Sequence, residues 1–161
     1  MRIIIFSDSH GTSRGMDGLI TSLRPDMVLH LGDGVNDLSR VPNLPPETAI
    51  RTVRGNNDFA SKAPDQLVLP LPGHRAFMTH GHLYNARNGY SALLQKAKNE
   101  EADILFFGHT HEPANLMQEG ILLFNPGCFT DKSPRGGFYE IMDIDQDGKI
   151  NASIKNIRED N

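Results

Sequence analysis

The chain contains no tryptophan and a single cysteine, Cys128. One cysteine rules out an intrachain disulfide and any zinc site built from several thiolates. Long apolar runs are also missing. The N-terminus offers only Ile3-Ile4-Ile5-Phe6 before Ser7 and Asp8, too little for a signal-peptide core or a membrane span. The expectation is a cytoplasmic protein with no membrane partner. Positive charge is not in excess: the net charge is -4 over 161 residues. That balance gives no clear nucleic-acid surface. No internal repeat, low-complexity tract or linker interrupts the chain. Hydrophobic residues make up 38% and charged residues 22%, which suits one ordered domain rather than a disordered chain. That domain is expected over residues 1–157, with 158–161 as a loose tail. What stands out against these absences is histidine, with seven copies.

Residues 2–6 read as a fully buried strand, being a short β-branched run closed by polar residues. A helix over about 14–23 follows, with Thr12 or Ser13 as its N-cap, and Arg24-Pro25-Asp26 ends it. A strand at 27–31 completes a parallel βαβ unit. Residues 35–41 suggest a short helix that the three prolines between Pro42 and Pro46 cannot continue. Another strand covers about 49–53. Residues 67–71 and 74–79 form two strands about a Pro72-Gly73 turn. Tyr90, Leu93, Leu94 and Ala97 repeat with helical spacing over 89–99. A strand follows at 103–107. Hairpins then dominate, with 114–118 and 121–124 flanking Glu119-Gly120, and 137–144 and 149–156 flanking Gln146-Asp147-Gly148. The predicted class is α/β (α+β): two packed mixed β-sheets flanked by helices, a four-layer αββα sandwich.

One event recurs along this order. A short apolar run ends, and a carboxylate, carboxamide or imidazole follows at once. The polar ends are Asp8-Ser9-His10, Gly32-Asp33, Gly55-Asn56-Asn57-Asp58, His80-Gly81-His82 and Gly108-His109-Thr110-His111. Sites in α/β sheets form at the carboxyl ends of strands, so these loops can share one place. Asp8, His10, Asp33, Asn56, His80, His109 and His111 are seven N/O donors, more than one tetrahedral ion needs. They suit two ions sharing a carboxylate. Without thiolates the set favours Mn²⁺, Fe, Zn²⁺, Ni²⁺ or Co²⁺ over Ca²⁺ or Mg²⁺. Gly32, Gly55, Gly81 and Gly108 permit the tight backbone paths such a site needs.

In this order the motifs D-x-H, G-D, G-N, an isolated H and G-H-x-H resemble those of the calcineurin-like metallophosphoesterases. Asn125-Pro126-Gly127-Cys128 and Pro134-Arg135 are similar to the N-P-G-S…P-R ending of that family's small bacterial and archaeal phosphodiesterases, the YfcE-type branch. The resemblance implies that Asp8, His10 and His111 bind one metal, that Asn56, His80 and His109 bind a second, and that Asp33 bridges them. It implies two divalent transition metals, manganese foremost, and a metal-bridging hydroxide that attacks the phosphorus of a small phosphodiester. It is also compatible with a homo-oligomer of unspecified size. The alternatives are a phosphomonoesterase or nuclease acting on nucleotides, and a non-catalytic protein-binding scaffold of the same fold.

Two positions depart from the family pattern. Asn57 stands where the family's phosphatases carry a histidine that assists the leaving group, and an amide cannot act as an acid near neutral pH. The departure favours diesters over phosphomonoesters, with His82 as the nearest candidate donor. Cys128 replaces a usual serine, which changes a local hydrogen bond rather than the reaction; no base is specified to make it a nucleophile. Asp58 either orients Asn56 or Asn57 in a catalytic loop or caps that loop. His30, within a strand, reads as a core histidine or one that supports a ligand from behind. His74, next to a turn, reads as exposed. Arg135 meets either a phosphate or a surface carboxylate. Asp143-x-Asp145-x-Asp147-Gly148 imitates the start of a calcium loop, but Ile154 stands at the twelfth position and strands flank it, so it reads as a hairpin turn.

Overall fold

In the computed structural model, which describes residues 1–42, 44–130 and 137–158, Arg2–Phe6 form strand β1. Ile3, Ile4, Ile5 and Phe6 are all fully buried. Successive side chains on a strand point to opposite faces, so burial of all four requires cover on both sides. Ile3 and Ile5 join a core with Leu29, Met78, Ile104 and Phe106. Ile4 and Phe6 join a different one with Met16, Ile20 and Leu38. That is why the run is apolar throughout and does not alternate.

The remaining strands are β2 (Met27–His30), β3 (Ala49–Thr52), β4 (Gln66–Leu71), β5 (His74–Thr79), β6 (Ile104–Phe106), β7 (Ala114–Gln118), β8 (Ile121–Asn125), β9 (Phe138–Ile144) and β10 (Ile150–Asn156). They make two five-stranded sheets, ordered β10-β9-β1-β2-β3 and β4-β5-β6-β8-β7. Both are mixed. β1, β2 and β3 run parallel, and so do β5, β6 and β8. Helices α1 (Met16–Leu23) and α2 (Val35–Leu38) bring Met16, Ile20 and Leu38 to the outer face of the first sheet. Helix α3 (Ser91–Asn99) lays Leu93, Leu94 and Ala97 on Phe77, Leu105 and Leu123 outside the second sheet. The four-layer αββα arrangement is therefore the observed one. Among the described residues no helix is long and apolar enough to cross a membrane.

Several local expectations need correction. Helix α1 begins at Met16, and its N-cap is Gly15 in a left-handed conformation (φ 91°) with no side-chain cap, rather than Thr12 or Ser13. Helix α2 stops at Leu38, so only four of the expected residues are helical. His74 is not exposed. Its Nδ1 lies 2.6 Å from Asp103 Oδ2 and its Nε2 2.6 Å from the Gly148 carbonyl. Burial works against its protonation, yet the Gly148 carbonyl and the Asp103 carboxylate together raise its pKa. The segment Asp143 to Gly148 is the β9–β10 connection, with Asp145 Oδ1 accepting from the amides of Asp147 and Lys149. Asn43, Pro134, Arg135 and the tail from 159 onward lie outside the described residues, and with them the P-R motif.

One inward-facing residue escaped the sequence pattern. Glu140 is fully buried. It sits opposite Ile5 in the β1–β9 ladder and accepts a 2.6 Å hydrogen bond from Asn115 Nδ2 of the other sheet. Its Oε2 has no partner. Burial pushes this carboxyl up to about 8. An unfolded glutamate ionises near pH 4.3, so between the two values the unfolded chain binds fewer protons and stability falls as pH rises. Glu140→Gln removes that dependence. We expect denaturant titrations to show the variant gaining about 3.5 kcal/mol more over wild type at pH 8 than at pH 5. A difference that stays flat with pH would contradict a buried, protonated Glu140.

Candidate metal centre

The parallel register decides where the polar loops go. Phe6 pairs with His30, and His30 with Thr52. On the second sheet Met78 pairs with Phe106, and Phe106 with Phe124. Six strands therefore finish level within their own sheets, and the chain beyond each finish carries a polar loop. Backbone bonds tie these loops together. Asp8 N–H donates to Gly32 O at 2.9 Å, His10 N–H to Asp33 O at 3.0 Å, Gly108 N–H to His80 O at 3.1 Å, and Phe129 N–H to Ser7 O at 2.8 Å.

The loops are strained. Asp8, His10, Asp33, His109 and His111 have φ between 47° and 68°, a region that non-glycine residues seldom adopt and that costs on the order of 1 kcal/mol each. Strain of this kind gathers where side-chain aim matters more than backbone comfort. Two glycines are needed for contact rather than for φ. A Cβ at Gly55 would stand 2.1 Å from Asp33 Oδ1, and one at Gly108 would stand 2.0 Å from Ser7 Oγ.

Asp8 Oδ1 is the hub. His111 Nε2 lies 3.1 Å from it, His80 Nε2 3.9 Å and His10 Nε2 4.0 Å. His80 Nε2 is also 3.5 Å from Asp33 Oδ2. The Nε2 atoms of His10 and His111 are 3.3 Å apart. The rings of His80 and His109 are 5.1 Å apart, and those of His80 and His82 5.4 Å. Asp8, Asp33 and His80 thus offer ligand atoms within 4.8 Å of one another, and so do His10, His111 and Cys128.

Asp8, His80 and Asp33 are held from behind. Asp8 Oδ2 accepts from Ser7 Oγ and from His109 N–H at 3.0 Å, which leaves Oδ1 free. His80 Nδ1 donates to the Leu31 carbonyl at 2.7 Å, which turns Nε2 toward the carboxylates. Asp33 accepts from Asn57 N–H at 2.7 Å and from Asn57 Nδ2 at 2.5 Å. His30 accepts from Gly32 N–H on Nδ1, so its Nε2 donates to Ser9 Oγ at 3.0 Å, and Ser9 in turn donates to Asp37 at 2.6 Å. Burial, the largest effect on His30, lowers its pKa to about 4, so it supports the site as a neutral ring.

Asp58 does not reach toward the cluster. Its carboxylate accepts from the backbone amides of Asp33 (2.7 Å), Gly34 (2.9 Å), Val35 (3.1 Å) and Gly55 (2.8 Å). Of its two expected roles, capping the loop is the one these bonds describe. Asn56 and Asn57 are exposed on the same loop. Ser7, Ser9 and Asp37 were given no role beforehand, and Asn125 was quoted only as part of the N-P-G motif. Asn125 Nδ2 donates to Thr110 Oγ1 at 2.9 Å and to Gly108 O at 3.3 Å. For Ser7 and Ser9 the available signal was a hydroxyl directly beside a proposed ligand; Asp37 and Asn125 had no such neighbour.

Among the described residues five buried polar side-chain atoms lack a hydrogen-bond partner. Four of them are here: Asp8 Oδ1, His80 Nε2, His82 Nδ1 and His109 Nδ1. Each such atom ordinarily costs about 1–3 kcal/mol. Burial favours a neutral Asp8, but His111, His80 and Ser7 outweigh it and lower its pKa. Asp33 is held well below the usual carboxylate range against its own desolvation, by His80 and Asn57. Two buried carboxylates with imidazole nitrogens converging on them need positive charge among them, as protons on His80 and His111, whose pKa values the carboxylates raise, or as a bound cation. Carboxylate and imidazole donors of this kind fit a divalent transition metal.

Comparison with known proteins agrees with that chemistry. A family model described as the calcineurin-like phosphoesterase superfamily domain matches residues 1–147. The chain belongs to this superfamily. It is 30% identical over 150 residues to the probable metallophosphoesterase YsnB of Bacillus subtilis, covering 91% of this chain and 86% of that protein. It is 33% identical over 174 residues to the phosphodiesterase YfcE of Escherichia coli K12, covering 90% and 89%. A solved structure of a predicted phosphoesterase from Streptococcus pneumoniae superposes with a TM-score of 0.73 at 30% identity, covering 96% of this chain and 97% of that one. These relatives put the chain in the YfcE-type branch of the calcineurin-like phosphoesterases.

In this phosphoesterase, Cys128 donates from Sγ to the Asp8 carbonyl at 2.9 Å. Burial pushes its thiol up to about 12. It is therefore a neutral brace for the Asp8 loop at physiological pH rather than a thiolate. His109 is lowered to about 4, by burial first and then by the charges of His80 and Arg87, so it offers a neutral imidazole.

Proposed function

We propose that the chain is a dinuclear metal-dependent phosphodiesterase acting on a small phosphodiester. One observation carries this reading: buried, unpartnered Asp8 Oδ1 has three imidazole Nε2 atoms within 4.0 Å. In this reading Asp8, His10 and His111 hold one divalent ion, Asn56, His80 and His109 hold the other, and Asp33 is shared. Manganese is the first candidate, with nickel, zinc, iron and cobalt also suited to the donors. Such a pair supplies positive charge that polarises phosphoryl oxygens and activates water near neutral pH.

The chain's own residues do the rest. Ser7 and the His109 amide fix which oxygen of Asp8 is presented. The Leu31 carbonyl fixes the tautomer of His80. Asn57 sets the plane of the Asp33 carboxylate. Asn57 and His82 are the donors available at the rim for the leaving oxygen. Asn57 is uncharged, and the pKa of His82 is lowered, chiefly by burial and next by His80. Neither is a strong acid at neutral pH, so esters with an intrinsically acidic leaving oxygen are favoured. Fully ionised monoesters, whose leaving group needs a proton more, are not.

With Mn²⁺ supplied, kcat/KM for bis(p-nitrophenyl) phosphate is expected to exceed that for p-nitrophenyl phosphate by about tenfold or more, a difference of about 1.4 kcal/mol in transition-state stabilisation. Preference for the monoester would refute the substrate class.

A further inference from the structure

Beside the metal centre lies a cavity of about 340 Å³ lined by Ala86, Arg87, Gly89, Tyr90, Thr110 and Glu112. Its wall is continuous with the loop that carries two of the candidate ligands. Thr110 stands between His109 and His111, and Glu112 follows directly. Arg87 on the cavity wall bonds the His109 carbonyl, so the cavity adjoins this loop.

The lining restricts what that arm can be. Arg87 spends its Nε and one terminal nitrogen on the His109 carbonyl, at 3.3 and 3.2 Å. A guanidinium has five N–H donors, and the remaining ones have no carboxylate partner among the described residues. Glu112 is exposed and brings acceptors of the opposite sign. Tyr90 is half-buried, its ring 5.0 Å from Phe107 and packed edge-on against it, so it is a fixed wall. The Thr110 hydroxyl is already engaged by Asn125. Glu112 disfavours an anionic arm, Arg87 disfavours a cationic one, and both desolvate poorly against an apolar one. Neutral hydroxyls satisfy both, because each can donate to the carboxylate and accept from the guanidinium.

We propose that this cavity is the subsite for a neutral polyhydroxyl ester arm, a glycerol or a sugar, and that Arg87 and Glu112 select it. The inference rests on the phosphodiesterase reading above. The test compares glyceryl p-nitrophenyl phosphate, in which the polyol is the retained arm and the acidic phenol is the leaving group, with bis(p-nitrophenyl) phosphate. Glu112→Ala should lower the kcat/KM ratio of the first to the second by about fivefold or more, as expected for a lost hydrogen bond to a charged group. Arg87→Ala should move the ratio in the same direction. Binding is read separately in the Zn²⁺-loaded protein by the amide resonances of Gly89, Tyr90 and Thr110 during titration with glycerol 3-phosphate. Those resonances should shift in wild type and not in Glu112→Ala. Turnover of the aryl diester with a ratio that changes less than fivefold in Glu112→Ala would overturn the subsite and leave the phosphodiesterase standing. If wild type turns over neither diester, the phosphodiesterase reading fails instead. The amide shifts then decide the cavity alone: their presence keeps a polyol site, and their absence removes it.

Discussion

Asp33→Asn is expected to lower kcat/KM on a diester by about a thousandfold, the scale of losing several kcal/mol of charge stabilisation in the transition state. Asp33 is 2% exposed, and every neighbour treats it as an anion. Both its oxygens accept from Asn57, and His80 Nε2 faces Oδ2 at 3.5 Å. An asparagine there must turn its own NH₂ toward one of the Asn57 donors, and it removes one of the two buried negative charges. Fold and secondary structure should survive, because the backbone bonds of residue 33 run to Asp58 and His10 rather than through its side chain. Steady-state kinetics with circular dichroism separates the two effects. A loss below about tenfold in a folded variant would remove Asp33 from the centre.

Asp58→Ala should act on stability first. Its carboxylate gathers four backbone amides from two loops, those of Asp33, Gly34, Val35 and Gly55. Hydrogen bonds to a charged group contribute about 1.5–3 kcal/mol each, and unsatisfied buried donors add their desolvation. Non-additivity reduces the sum, so about 4 kcal/mol is the expected loss. For a chain of this size that corresponds to a Tm lower by roughly 10 °C. Asp58→Asn keeps one acceptor oxygen and should lose roughly half as much. Thermal unfolding of both variants checks the ranking. A fall of less than about 3 °C in Asp58→Ala would mean that the loops are held elsewhere.

Much of this centre was legible because the signal is local. Asp8, His10, Asp33, His80, His109 and His111 each follow directly on a buried apolar run, and the polar break in an otherwise β-branched stretch marks both the strand end and the ligand. The hairpins of β4–β5, β7–β8 and β9–β10 were legible for the same reason, since a turn dipeptide joins each of the first two and a glycine-containing turn the third. What escaped notice depends on pairing between distant segments. β6 lies parallel between β5 and β8, and β9 returns to pair with β1. Nothing local in either strand reports its neighbour. Glu140 looks like a surface residue until that return buries it beside Ile5. Asp37 looks like an ordinary helix carboxylate until α2 brings it to Ser9 and Gly11 N–H. His74 was misread because Asp103 and Gly148, its two partners, are 29 and 74 residues away. Asp58 offered two readings in sequence, and only the positions of the four amides separate them.

The most direct measurement is metal content per chain after equilibration with Mn²⁺ and removal of free ion, by elemental analysis of wild type and of Asp33→Asn. Two ions per wild-type chain, falling to one or fewer in a folded Asp33→Asn protein, is the predicted result. A folded wild-type chain that retains no ion, or an Asp33→Asn chain that still retains two, would contradict it.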